Sequence, residues 1–126
     1  MAQTIPIYIN VDTITSATLA DGTETAEAAI EVNAGEITAG LLWGVHGGPI
    51  TNDPGGQVIV RVWNDDASTR ELYSVTLDFS GGTTQASDLM SAAVPFFEAA
   101  YFTAEGDSAN AGETIDLTFY VQALRY

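Results

Sequence analysis

The sequence predicts an all-β protein, a single antiparallel β-sandwich of jelly-roll-like layout over residues 1–126. Three observations carry that expectation. Apolar and polar residues alternate with a period of two along most of the chain, the pattern of strands with one buried face. Clusters of Gly, Asn, Asp and Ser recur at roughly the 8–12-residue spacing of sandwiches and barrels, enough for about seven to nine strands. No amphipathic stretch of helical length interrupts them, which disfavours α/β architectures. Strand pattern alone leaves jelly-roll and immunoglobulin-like orders both open.

The elements follow in chain order. Gln3 to Asn10 (QTIPIYIN) is extended, with Ile5, Ile7 and Ile9 on one face. Pro6 has no N–H to give a ladder, so this segment is an edge strand or a projecting arm. Val11 to Leu19 is rich in Thr and β-branched residues, and Asp21-Gly22 marks a turn. In Ala26 to Val32 the composition favours helix, whereas a strand would group Ala26, Ala28, Ile30 and Val32; the context favours strand. Gly35 to Val45 (GEITAGLLWGV) reads as a mostly buried strand. The glycines and prolines of His46 to Gln57 (HGGPITNDPGGQ) predict an irregular loop.

Val58 to Asn64 (VIVRVWN) is the clearest strand, with Val58, Val60 and Val62 opposite Ile59, Arg61 and Trp63. A turn at Asp65 to Ser68 leads into Arg70 to Ser80, whose core face is Tyr73, Val75, Leu77 and Phe79. Gly81 to Ser91 is expected to be a connection holding one short helical turn, capped by Ser87-Asp88. Ala92 to Ala104 opens a final long hairpin. Its arms are FFEAAYFTAEGD and TIDLTFYVQALRY, joined by SANAGE.

Composition narrows the function. Seventeen acidic residues face only Arg61, Arg70 and Arg125, for a net charge of −14. Such a surface repels phosphate backbones and anionic headgroups, which argues against direct nucleic-acid or membrane partners. It suits solubility, a basic partner, divalent cations or a saline medium. No run approaches the ~20 apolar residues of a membrane helix. A secretory leader is not visible: Met1-Ala2-Gln3 lacks a basic region, and Pro6 and Asn10 interrupt the apolar stretch. Cysteine is absent, so neither disulfides nor thiolate chemistry are available, in keeping with a reducing cytoplasm.

No residue pattern announces a reaction. His46 is the single histidine, and no serine lies in a nucleophile elbow, so no catalytic residue is assigned. One histidine and no cysteine exclude a multi-histidine zinc site. Asn52-Asp53, Asn64-Asp65-Asp66 and Glu105-Gly106-Asp107 do not have calcium-loop spacing and read as turn residues. The glycines lack the Lys and Ser/Thr of a phosphate cradle. No metal or cofactor is expected. The aromatics fall in predicted strands, where most rings fill the core. Trp63 shares a face with Arg61, opposite the valine row, and so belongs on the outer surface or at a subunit contact.

The segment PFFEAAYFTAEGDSANAGETIDLTFYVQAL, Pro95 to Leu124, resembles the C-terminal hairpin of tailed-phage capsid decoration (cement) proteins. The resemblance covers about a quarter of the chain. It implies a compact trimer on the outer face of an expanded capsid, bound to the major capsid protein and clamping neighbouring capsomers. The protein would be made in the host cytoplasm. Candidate contacts are the arm residues Ile5, Pro6, Ile7 and Tyr8, then Trp43 and His46, and finally Trp63. Two other readings stand beside it. One is a carbohydrate-binding module or receptor-binding head with an exposed aromatic platform, and the other is a pilus, fibre or minor capsid subunit.

Overall fold

Alternation is the organising rule in the computed structural model, which describes residues 7–30, 37–65, 67–81, 83–97 and 99–125. The described residues form strands β1 (Ile7–Thr18), β2 (Ala28–Ala29), β3 (Ile37–Ile50), β4 (Gln57–Trp63), β5 (Glu71–Asp78), β6 (Ala86–Phe97), β7 (Tyr101–Glu105) and β8 (Thr114–Arg125). They make two four-stranded sheets, in the orders β1-β8-β3-β6 and β2-β7-β4-β5. Every paired neighbour is antiparallel. The chain changes sheet at every connection except the β4–β5 hairpin. This is the order of an eight-stranded jelly roll and not that of an immunoglobulin sandwich.

The core lies between the sheets. Val58, Val60 and Val62 of β4 are fully buried, as the alternation predicts. Burying each stabilises the fold by about 1.5–3 kcal/mol relative to exposure. Leu77 and Phe79 continue the β5 side, and Ile115, Leu117, Phe119 and Val121 of β8 face them from the other sheet. The Phe102 and Phe119 rings meet across the core at 5.0 Å between centroids, tilted by 41°. Such an offset pair adds about 0.5–1.5 kcal/mol beyond its buried area.

Three expectations are corrected. First, β7 and β8 do not form a hairpin. β7 pairs with β2 and β4, whereas β8 pairs with β1 and β3 in the opposite sheet. Their apolar faces meet through the core, so the connection is an arch between layers. Its loop is knotted by Asn110, which is fully buried. Asn110 donates to the Gly55 and Gln57 carbonyls and accepts from the Asp107 N–H, while the Asp107 carboxylate accepts from the Gln57, Ala109 and Asn110 N–H groups.

Second, the loop expected from His46 begins later. β3 runs on to Ile50, with His46 opposite Ser87 on β6 and Thr118 on β8. Glycine here permits close packing instead of breaking the strand. A Cβ on Gly47 would lie 2.6 Å from Leu77 Cδ1, and one on Gly44 would collide with the Asp88 carbonyl oxygen. Third, Ser87 and Asp88 do not cap a helical turn. They belong to β6, where Ser87 bonds His46 and Asp88 accepts from the Tyr73 hydroxyl. Partners on other strands take the place of the local backbone bonds that a cap would use.

The expected arm FFEAAYFTAEGD is also split: Phe96 and Phe97 end β6, and β7 begins at Tyr101 in the other sheet. β1 is an edge strand, paired residue for residue with β8 from Ile7↔Arg125 to Thr18↔Thr114. Of the segment expected as a strand from Ala26 to Val32, Ala28–Ala29 pairs with β7 and Ile30 is buried. Glu31 and Val32 lie outside the described residues.

Candidate interaction surface

A β-bulge sets up the outer face of the first sheet. β3 shifts register between Leu42 and Gly44 against both of its neighbours: against β8 Trp43 is the extra residue, whereas on β6 residues 90–93 are left out of the ladder opposite it. Before the bulge Gly40 and Leu42 point inward; after it Val45 and Gly47 do. Bulges re-aim side chains in this way. Trp43 is 38% exposed, and its indole N–H donates to Gln122 Oε1 on β8 at 3.3 Å. Gly44 sits between Tyr120 of β8 and Leu89 of β6. It is buried, and the Leu89 side chain leans over it.

One row along, the His46 ring bridges β3 and β6. Its Nδ1 meets the Ser87 hydroxyl, and its Nε2 lies 3.1 Å from Gln85 Oε1. An amide oxygen accepts, so Nε2 carries the proton in the neutral ring and Nδ1 accepts from Ser87. This brings a serine and a histidine together, which sequence spacing did not indicate. The third member is a neutral amide and not a carboxylate, so it supplies no charge to stabilise an imidazolium. The pair stands on an open sheet face, and its geometry positions a side chain without supplying an acyl-transfer site.

Trp63 is on the other outer face, as expected, but half-buried. Its N–H donates to Thr103 Oγ1 at 3.0 Å, and the Thr103 hydroxyl donates to Glu24 Oε1 at 2.9 Å. Arg61 completes the network, 2.8 Å from Glu24, 3.5 Å from Glu105 and 3.6 Å from Glu71. Partial burial works against the guanidinium charge, but the Glu24 and Glu105 carboxylates outweigh it and hold its pKa above the usual value. The network braces β4 against β7.

Among the described residues, two clefts flank the sheets. One, of about 300 Å³, is lined by Asn64, Arg70, Leu72, Pro95, Phe96 and Phe97, with Ala99. The other, of about 420 Å³, lies between Ser16–Thr18 of β1 and Thr25, Ala26, Ala28 and Phe102. Neither includes Trp43, His46 or Trp63. The acidic turn residues are bound to backbone: Asp65 Oδ1 accepts from the Thr69 and Ala67 N–H groups, which hold its carboxyl below the usual range. Among the described residues no three His, Asp or Glu side chains gather as metal ligands.

Of the arm residues, Ile7 and Tyr8 open β1, opposite Arg125 and Leu124; Ile5 and Pro6 lie outside the described residues. Trp43 and His46 therefore share one face, while Trp63 is on the opposite side of the molecule. Sequence reasoning missed Leu89, which is 70% exposed, because it lay in a presumed connection. Phe97, 75% exposed, is an exception to the expectation that most rings in strands fill the core. The available signal was SDLMSAAVPFF itself, whose apolar residues exceed what one buried face can hold.

No protein-family model matches the chain, and no curated protein matches it by sequence. The fold resembles two solved structures. One comes from work on Bacillus endospore appendages, described as a novel family of disulfide-linked pili. It has a TM-score of 0.58 at 13% identity, covering 100% of this chain and 96% of that one. The other is from the structure of Tomato Aspermy Virus, with a TM-score of 0.52 at 11% identity, covering 94% of this chain and 78% of that one. At these identities the likeness is one of fold.

Proposed function

We propose that this chain is a structural assembly subunit, a decoration protein that binds the outer surface of an expanded phage capsid and stabilises contacts between capsomers. The observation that carries the reading is the distribution of side chains on the jelly roll. Exposed aromatic and apolar groups lie on a sheet face, while the acidic groups are tied into turns and around Arg61. That arrangement serves surface-to-surface contact, with no enzymatic step. The fold likeness to a chain of a virus and to a pilus protein agrees with a building-block role.

The mechanism is physical. A homotrimer engaging several copies of the major capsid protein gains avidity through effective concentration. Binding only the expanded lattice stabilises that lattice by mass action. The test is co-sedimentation of the purified protein with expanded and unexpanded heads. Saturable binding to expanded heads alone is the expected result; equal recovery with both, or with neither, rejects the reading.

A second reading, a pilus or fibre subunit, is favoured by the endospore-appendage likeness, which spans the whole chain. With no cysteine, such a fibre would be held without disulfides. Filaments of the purified protein under negative-stain microscopy would select this reading. The glycan-binding alternative now rests on Trp43, the more exposed tryptophan, and a glycan array comparing Trp43→Ala with the native protein addresses it.

A further inference from the structure

We infer that the outer face of β8-β3-β6, centred on Trp43, Gly44 and Leu89, is the surface through which copies of this chain bind one another. Charge carries the argument. The chain has a net charge of −14, yet β3 contains no Asp, Glu, Lys or Arg. The acids of the flanking strands are engaged elsewhere. Asp88 accepts from Tyr73, and Asp116 accepts from Ser16 Oγ at 2.8 Å, toward the β1 edge. Around Trp43, β3 and its neighbours present His46, Ser87, Leu89, Tyr120 and Gln122 outward, with Asp116 farther along β8 on the same face.

Among the described residues the large exposed hydrophobics are Trp43, Leu89 and Phe97, all on β3 and β6. Aromatic enrichment with charge depletion is the composition of an interface core. The scarcity of charge also identifies the occupant. A basic partner would be drawn to the carboxylates, such as Glu24, Glu71 and Glu105 on the opposite outer face. Another copy of this chain is repelled by every carboxylate-bearing surface, and closest approach is least opposed where carboxylates are fewest. The contact is made by packing faces, with no extension of the sheet edge. β6 carries Pro95, and its pairing with β3 jumps from Val94 to Leu89 across the bulge, both of which blunt an edge against strand addition.

The inference rests on the assembly-subunit reading only in taking self-association as the relevant event. It is tested by sedimentation equilibrium over a range of protein and salt concentrations. The native chain should form a multiple of 13.3 kDa, and association should strengthen with salt. Leu89→Glu should weaken association at least about tenfold, as loss of a central contact does. Thr76→Glu, the same charge at an exposed position on β5, should leave it unchanged. Far-UV circular dichroism confirms that each variant is folded. Hydrogen exchange of the native chain should also show concentration-dependent protection in β3 and β6. A native chain that stays monomeric at all concentrations, or a folded Leu89→Glu variant with unchanged association, overturns the inference. Failure to bind expanded heads with self-association intact would reject the decoration reading and leave this face standing.

Discussion

At the scale of single residues, Asn110 holds more of the fold than its surface-loop composition suggests. It is fully buried and closes the arch loop onto Gly55 and Gln57. Asn110→Ala should destabilise the protein by about 1–3 kcal/mol, because buried carbonyls lose their donor. Urea unfolding measures this, and a loss within error would mean that solvent replaces the amide. Gly44→Ala should cost about 1–3 kcal/mol by overpacking. The obstruction is the Asp88 backbone carbonyl, which no rotamer change relieves. Unchanged stability in the same titration would mean that β6 yields freely. Neither role was legible in the sequence. Asn in SANAGE and Gly in LLWGV have the same local signal as ordinary turn and strand-breaking residues. Their partners, Gly55, Gln57 and Asp88, lie far away in the chain. Trp63 was legible because the valine row fixed the parity of β4, whereas the exposure of Trp43 depends on a bulge that leaves no mark in composition.

At the scale of elements, periodicity located strands well and their partners poorly. β4 and β5 were read with their inward faces because alternation reports which side is buried. The same alternation in β7 and β8 suggested a hairpin, since two arms with one apolar face look alike whether they lie side by side or face to face. The turn that joins β4 to β5 makes a further prediction. Thr69 and Ala67 N–H groups hold the Asp65 carboxyl below its usual range, and the Ser80 hydroxyl and N–H do the same for Asp78 beyond β5. Carboxyls more acidic in the folded state stabilise it above their unfolded pKa, and that contribution is lost as pH falls through the folded value. An NMR titration should therefore place both midpoints below the ordinary aspartate value. Midpoints at that value would mean that these turns do not hold in solution.

At the scale of the whole molecule, the charge imbalance opposes compaction. Fourteen net negative charges repel one another, and three arginines offset few of them. Screening reaches about 10 Å at 0.1 M salt, so the melting temperature should rise with added chloride salts. Calorimetry of a monomeric Leu89→Glu sample would separate this effect from association; a flat or falling melting temperature counts against it. The sheet order has a kinetic counterpart, since β1 and β8 join the two ends of the chain before their ladder can form. Refolding should take about milliseconds to seconds, as for other non-local β topologies. The same pairing has a mechanical result. Ile7 stands opposite Arg125, so tension applied through both ends pulls the ladder apart from one end, a pair at a time, and does not load all its hydrogen bonds in shear. In the proposed assembly, load entering through the sheet faces would bypass this ladder, whereas load entering through Ile7 and Arg125 would unzip it.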